Sequence, residues 1–541
     1  MCKLTYSIEG KVFLSDGASC EDFYLETRVE KGRKAVLLTA KRDLTLLAYE
    51  EGAPEPLASQ KGGKRDLYFL NGYQSWTDSK ERYLSEKERG LRHLPKIVVD
   101  AFAFDRYGDY TFYFYAKNKL HGYDVFYVKG QRRGFLLNLN YKRAYLLFEV
   151  NRRTGEILLR SDVKGAVVKA GSSFPLIDYL FAPDYQAGMR AFKEVFPPRD
   201  VQKLFGYTSW YNYYQNINEQ IILRDLDALD ERFNLFQIDD GYQTFVGDWL
   251  DVDENKFPHG ISFIPEKAHA RGFKAGIWLA PFVAEEKSRL FREHPEFFKR
   301  DRKGAFVKCG SNWSGFYALD LEKPEVKDYV KTCLRHYADM GFDLFKLDFL
   351  YAASLPEYDG KTRSEAAEES YAFLREVLAD KLILGCGATT FNAKGKFDYL
   401  RVGTDVSLSF DDAFYMRLFH RERPSTKATL QNTIYRSFMD GAFFGNDPDV
   451  FLLREENLSL SEGNKRALLT VNALFGSVLM TSDNIGAYDK KQKEELDRAF
   501  GLFYNAKVNS FAREGRRIKI SYEHNGRVNF IEYDIEKGVI I

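Results

Sequence analysis

The 541-residue sequence is poor in cysteine and histidine, with 5 and 8 of them. The cysteines, Cys2, Cys20, Cys309, Cys333 and Cys386, are odd in number and far apart. That excludes a dense disulfide framework and fits a reducing, cytoplasmic compartment. Neither a CxxC pair nor an HExxH helix occurs, so the common zinc signatures are missing. A P-loop is missing as well, and Gly385-Cys386-Gly387 lacks the third glycine of a dinucleotide-binding turn. No metal and no cofactor is therefore expected. Long apolar runs are absent: the most apolar region, Ala467 to Met480, is shorter than the ~18 residues of a membrane span and contains Asn472. The start, Met1-Cys2-Lys3-Leu4-Thr5-Tyr6, shows no apolar stretch behind a basic opening, so no secretory signal is expected. An excess of one charge is also lacking. Lys+Arg is 79 and Asp+Glu is 78, a net +1, which removes the basic signature of a nucleic-acid binder without excluding a local patch. Neither nucleic acid nor membrane is an expected partner.

Aromatic residues, by contrast, are abundant: 16% of the chain, with 45 Phe, 34 Tyr and 5 Trp. They fill cores and strands, and their flat faces also stack on the apolar faces of sugars. Hydrophobic residues at 45% and charged residues at 29% fit a globular chain without long disorder. At roughly 150 residues per domain the length predicts three or four domains, fewer if one is an α/β barrel.

Residues 1–195 read as β-structure. Phe135 to Leu139, Ala144 to Val150 and Glu156 to Leu159 are short apolar runs, the last two joined by an Arg153-Thr154-Gly155 turn. The pattern predicts an antiparallel sandwich without an internal repeat. From about residue 200 apolar strand-like runs alternate with helical segments. Eight strands are expected: Gly206 to Tyr211, Leu235 to Asp239, Lys274 to Ala280, Leu344 to Phe349, Leu382 to Cys386, Leu400 to Gly403, Ala442 to Gly445 and Ser477 to Thr481. Pro324 at the first position of a helix, an apolar face of Val326, Tyr329, Val330, Cys333, Leu334 and Tyr337, and Gly341 at its end mark one connection. Ser364 to Leu378 marks another, with acids in its first turn. Eight such units over 196–495 predict a (β/α)8 TIM barrel. Arg517 to Tyr522 and Arg527 to Tyr533 flank Asn525-Gly526, a strong hairpin signal, so 496–541 is expected to form a small antiparallel β-domain.

Barrel chemistry sits at the C-terminal ends of the strands. Polar residues interrupt the apolar runs at those ends: Asp239-Asp240, Trp278, Lys346-Leu347-Asp348, Cys386, Arg401-Val402-Gly403-Thr404-Asp405, Asn446-Asp447-Pro448-Asp449 and Asp483-Asn484. Lys346 and Asp348 share one side of a strand, where the ammonium favours an ionised carboxylate; a structural ion pair is the alternative. Arg401, Gly403 and Asp405 share one parity, with a glycine leaving room for a ligand; a loop Asp capping the next helix is the alternative. Asp239 and Asp240 could both accept hydrogen bonds from hydroxyls; a metal site is the alternative. Two carboxylates from different strands around one cavity suggest glycoside hydrolysis, one ionised as nucleophile and one protonated as acid.

The ordered set Asn71-Gly72-Tyr73-Gln74-Ser75-Trp76, Ile238-Asp239-Asp240-Gly241-Tyr242-Gln243, Lys346-Leu347-Asp348-Phe349-Leu350, Leu384-Gly385-Cys386-Gly387 and Arg401-Val402-Gly403-Thr404-Asp405 resembles glycoside hydrolase family 36, the retaining α-galactosidases with a (β/α)8 barrel, in its smaller prokaryotic form. The resemblance runs from about residue 60 to 485. It implies Asp348 as nucleophile and Asp405 as general acid/base. It implies sugar contacts from Asp239, Asp240, Lys346, Arg401 and Cys386. Trp278 becomes an aromatic wall, and Trp76 one reaching in from the β-domain or from a neighbouring subunit. Trp210 could be a further wall or a core residue. The sequence departs from the family at Thr404, where proline is expected, at Val406 to Phe410, at Phe349-Leu350 and at Ala388 to Thr390. These departures bear on the leaving group more than on the mechanism.

The expected activity is exo-acting hydrolysis of terminal α-galactose from small galactosides by double displacement. The alternatives are an α-N-acetylgalactosaminidase or other α-glycosidase on the same barrel, and a non-catalytic sugar-binding barrel. A phosphate-binding barrel is disfavoured by the acids after strands seven and eight. Assembly into a homo-oligomer stays open.

Overall fold

The computed structural model describes residues 2–86, 94–107, 118–355, 358–411 and 424–541. Alternation of apolar and polar residues before residue 183 builds two antiparallel sheets of seven strands each. They enclose a core that includes Leu38, Leu46, Tyr68, Phe126, Leu136, Phe148 and Tyr179. The expected hairpin is present: Leu146–Asn151 pairs with Ile157–Ser161, Val150 opposite Ile157. Its turn is set by Gly155 at φ 73° and by Asn151, whose side chain accepts from the Arg153 amide at 3.0 Å. Helix Tyr185–Val195, capped by Asp184, closes this part, so the expected division after 195 falls at a helix end.

The central part is one parallel sheet of nine strands. We number them β1 Leu204–Thr208, β2 Leu235–Ile238, β3 Lys274–Leu279, β4 Leu344–Leu347, β5 Leu382–Gly385, β6 Tyr399–Arg401, β7 Gly445–Asp447, β8 Val450–Phe451 and β9 Val478–Thr481. Their spatial order is β7-β6-β5-β4-β3-β2-β1-β9-β8. The strands read as continuous apolar runs because both faces are covered, as parallel sheets require. The edge strands β7 and β8 are separated only by Pro448 and Asp449, and the Ser477 amide after helix Glu462–Phe475 donates to the Asn446 carbonyl at 2.8 Å. The sheet is therefore curled, with its two edge strands close in space.

Three expectations need correction. Of the run Ala442 to Gly445 only Gly445 belongs to the strand: Gly441 sits at φ 72° and its amide donates to the Phe444 carbonyl, which makes a turn. The strand lies later and is split in two, because Pro448 has no N–H and Asp449 sits at φ 79°. The βα alternation also lapses between β5 and β6, where the described residues 387–398 form turns rather than a helix. Gly387 at φ 64° and Gly395 at φ 74° bend that segment. Finally, the expected boundary at 495/496 falls inside helix Lys490–Asn505. That helix buries Leu496, Ala499, Leu502 and Phe503, and its Phe500 and Phe503 meet Phe205 of β1. The four-stranded C-terminal sheet begins only at Ala506, and its Asn525-Gly526 turn has both residues at positive φ, as a type I′ hairpin needs.

Other expectations agree with the structure. Helix Pro324–Asp339 starts on its proline and buries Val326, Val330, Cys333, Leu334 and Tyr337. Helix Arg363–Leu378 carries a capping box between Thr362 and Glu365. Between β3 and β4 lies a three-stranded sheet, Val283–Glu285, Lys308–Gly310 and Phe316–Ala318, which the sequence reading missed. It delivers residues 311–313 to the site. No helix among the described residues is long and apolar enough to cross a membrane.

Candidate active site

Ligands of parallel α/β sheets bind beyond the carboxyl ends of the strands. There the structure has a cavity of about 270 Å³. Pockets for drug-sized ligands measure roughly 300–1,000 Å³, so this smaller space suits a ligand of about one sugar ring. Its lining includes Asp239, Asp240, Lys346, Asp348 and Asp405, with Trp76, Trp210, Trp278 and Trp313 as walls. Four of the five tryptophans thus face one space, and the fifth, Trp249, backs Trp278 edge-to-face at 5.6 Å.

Asp348 follows β4 directly. Its Oδ2 accepts from the Trp278 indole at 3.0 Å and its Oδ1 from the Phe349 amide at 2.8 Å. Phe349 is held at φ 54°, a left-handed conformation that costs a bulky residue roughly 1–3 kcal/mol. Such strain concentrates at functional sites, and here it turns the chain immediately after the carboxylate.

Lys346 was expected to serve Asp348, but its ammonium bonds to Asp239 Oδ2 at 2.6 Å. Both side chains are buried. Burial, the largest single influence, would lower the lysine pKa; the neighbouring anions, Asp239 foremost and Asp348 after it, together outweigh it, and the net shift is upward. Gln237 Nε2 holds the same Asp239 oxygen at 3.1 Å, and the Asp239 amide donates to Ser209 Oγ at 2.9 Å. Removing one partner of a buried ion pair costs about 3–5 kcal/mol, so Lys346→Met is expected to destabilise the fold by that order. The midpoint of urea unfolding measures it, and Lys346→Met with Asp239→Asn should recover part of the loss.

Asp240 is buried and accepts from Gln243 Nε2, from Gln215 Nε2 at 3.0 Å and from the Trp313 indole at 2.9 Å. Burial raises its pKa to about 6, against those hydrogen bonds and with a smaller push from the Asp239 charge. Trp313 was not singled out from the sequence. It sits on the loop after Lys308–Gly310, at φ 54°, wedged among Trp278, Phe316 and Phe349. An irregular loop gives no periodic signal; only the rarity of tryptophan could have pointed to it.

Asp405 lies four residues beyond β6. Its side chain keeps 39% exposure and lines the cavity. Its pKa is raised: desolvation pushes it up, Arg401 pulls it down, and the nearby Asp348 charge pushes it up again. Arg401 does not line the cavity. It is fully buried, with Nη1 on Asp405 at 3.2 Å, Nε on Asp447 at 3.0 Å and Nη2 beside Asp449 at 2.8 Å. Asp449 also accepts from the Tyr211 hydroxyl and from the Val406 amide at 2.8 Å, and burial raises its pKa to about 7. Arg401 thus faces three carboxylates and orients one of them toward the cavity. Tyr211, a cavity residue missed in the sequence, belongs to this cluster.

Cys386 does not line the cavity either. It is buried, and its sulfur accepts from the Trp76 indole at 3.2 Å. Burial raises the thiol pKa well above its ordinary value. Trp76 therefore reaches the site from the N-terminal sheet of the same chain. It packs edge-on against Phe349 and Tyr351 and crowds Gly387, where an added Cβ would lie 3.1 Å from the ring and would have to displace it by a few tenths of an ångström. Phe104 and Tyr107, from the same N-terminal part, complete the aromatic rim, Tyr107 donating to Asn312 at 2.9 Å.

The geometry is thus a curled parallel sheet with acids and tryptophans gathered at its carboxyl end. Residues 205–379, from β1 to the end of helix Arg363–Leu378, match the Melibiase family model. Among solved structures the chain resembles an α-galactosidase of Thermus thermophilus in complex with p-nitrophenyl α-D-galactopyranoside. The identity is 26%, the TM-score 0.71, and the match covers 93% of this chain and 98% of that one. Among curated proteins it is similar to an A type blood α-D-galactosamine galactosaminidase of Flavonifractor plautii, 29% identical over 38% of this chain and 20% of that one. It is also similar to the α-galactosidase Mel36A of Lactobacillus acidophilus, 26% identical over 35% of this chain and 27% of that one. These curated relatives are thus matched over only about a quarter of their own length.

Proposed function

We propose that this protein is a retaining α-galactosidase of small galactosides, built on a closed (β/α)8 barrel between an N-terminal β-sandwich and a small C-terminal β-sheet. The observation that carries it is one sugar-sized, tryptophan-walled cavity into which Asp348 and Asp405 open from different strands, Asp405 bonded to Arg401 behind it. Asp348 attacks the anomeric carbon as the glycosidic bond breaks and forms a β-galactosyl ester. Asp405 gives its proton to the departing oxygen, then takes a proton from the water that cleaves the ester. Asp239 and Asp240 accept hydrogen bonds from the ring hydroxyls, and the indoles cover the apolar face. Five free cysteines, three of them buried, support a reducing, cytoplasmic setting.

The test is release of nitrophenol from p-nitrophenyl α-galactoside, with the first sugar product followed by proton NMR. α-Galactose as the first product supports retention; β-galactose removes the double displacement. Retention also requires the two carboxyls to lie about 5 Å apart. A galactosaminidase and an α-xylosidase are among the relatives, so the α-galactosaminide, its N-acetyl form and the α-xyloside with the same leaving group belong in the panel as alternative substrates.

Asp240 supplies a further prediction. Hydroxyl donors favour its ionised form, and its pKa is about 6 in the free cavity. Galactose affinity should fall as pH drops from 7 to 5, through that value. Asp240→Asn should abolish this dependence and lower kcat/KM at pH 7 by about 10- to 100-fold, the loss of a hydrogen bond to a charged group. Titration calorimetry with galactose at the two pH values measures it.

A further inference from the structure

Helix Thr426–Tyr435 is buried at every residue but Lys427, and Arg436, which follows it, is fully buried. Buried polar side chains need partners, and these find them in two distant segments. Arg436 Nε donates to Asn71 Oδ1 at 3.2 Å and Nη2 to the Gln74 carbonyl at 2.9 Å. Its Nη1 donates both to the Ser75 carbonyl and, at 2.8 Å, to the Val402 carbonyl. The first three acceptors belong to the segment that carries Trp76. The fourth lies between Arg401 and Asp405. The same helix presses on both segments: Asn432 accepts from the Ser79 amide at 2.7 Å and donates to the Thr77 carbonyl at 3.1 Å, and a Cβ added at Gly403 would lie 1.8 Å from Thr429 Oγ1.

We propose that Arg436 is a positioning residue that fixes the Trp76 wall and the Asp405 loop relative to each other, so that the N-terminal sandwich is a working part of the cavity. A guanidinium suits this task because its five donors lie in one rigid plane; an ammonium offers three on a flexible stem. All four acceptors are neutral, and burial lowers the Arg436 pKa to about 9, with Asp78 opposing. The hydrogen bonds are what hold the charge in place. Arg436 touches neither Asp405 nor the cavity lining, so its effect on turnover is indirect and rests on the function proposed above.

Native-state hydrogen exchange combined with kinetics tests this. In Arg436→Lys, peptides covering 71–79 and 401–406 should both exchange at least about 10-fold faster, while Lys3–Ile8, next to the edge strand of the other sheet of the sandwich, stays unchanged. With p-nitrophenyl α-galactoside kcat/KM should fall about 10- to 100-fold, the cost of a misplacement near 1 Å. The loss should be shared between KM, through Trp76, and kcat, through Asp405. Asn432→Ala should loosen 71–79 alone and act on KM only. Loosening of only one segment in Arg436→Lys, or loosening of both with unchanged kinetics in an active enzyme, overturns the proposal. If Arg436→Lys does not fold, Asn71→Ala, which removes one of the four acceptors, decides: faster exchange in both segments supports the coupling, and a change confined to 71–79 overturns it. A wild-type protein inactive on every α-glycoside would sink the proposed function, while the exchange data would still decide the positioning role.

Discussion

Asp348→Ala is expected to lower kcat on p-nitrophenyl α-galactoside on the order of 10⁴- to 10⁶-fold, as removal of a covalent nucleophile does. The fold should survive. Among the described residues Asp348 has no ion-pair partner within bonding distance; its hydrogen bonds are to one indole and one amide, and the cavity solvates what truncation leaves behind. Unchanged activity would remove the nucleophile assignment. A second reading comes from sodium azide. With the carboxylate gone, azide can enter the vacated space, attack the anomeric carbon from the same face, and release the leaving group with the proton from Asp405. The product is β-galactosyl azide, inverted relative to substrate. Formation of the α-azide instead would mean that the nucleophile is a different group.

The strand ends were legible because most apolar runs are interrupted, at or just past their last positions, by an acid, a base, a tryptophan or a cysteine. Asp239, Asp240, Trp278, Lys346, Asp348 and Asp405 were found that way, and all line the cavity. Arg401 and Cys386 were found by the same rule yet lie behind it, because strand parity gives a side and not a depth. The identity of ion-pair partners was not legible either. Lys346 is two residues from Asp348 but bonds to Asp239 on the neighbouring connection, a choice made by how β2 and β4 flank β3. Trp313, Tyr211 and Arg436 were missed for a related reason. Their roles depend on contacts between residues tens to hundreds of positions apart, such as Trp313 with Asp240 and Arg436 with Asn71. The split of β7 from β8 was hidden because Pro448 and Asp449 read as an ordinary turn, whereas they separate the two edges of the sheet.

Asp405→Ala should behave differently from Asp348→Ala, and the difference follows from its electrostatics. Desolvation is the largest cause of its raised pKa; Arg401 opposes it, and the Asp348 anion adds to it. A raised carboxyl keeps its proton at pH values where an ordinary one has lost it, and so can act as the acid. As pH rises through its pKa that proton is lost, and kcat/KM should fall on the alkaline side of the profile. Once Asp348 is esterified its charge is gone, one upward push on Asp405 is removed, and Asp405 becomes easier to deprotonate. That is the form needed to activate water. Asp405→Ala should therefore lose about 10²- to 10⁴-fold on substrates with alkoxide leaving groups such as melibiose, the range for general acid catalysis, and should lack the alkaline limb. Nitrophenyl galactosides, whose leaving group needs little protonation, should still form the ester. Their turnover should then be limited by its hydrolysis, with KM lowered together with kcat. Azide needs no general base, so it should speed this variant and yield α-galactosyl azide, the opposite anomer to that from Asp348→Ala. Measuring the two azide anomers in parallel assigns both carboxylates at once: the same anomer from both variants would refute the division of roles between Asp348 and Asp405.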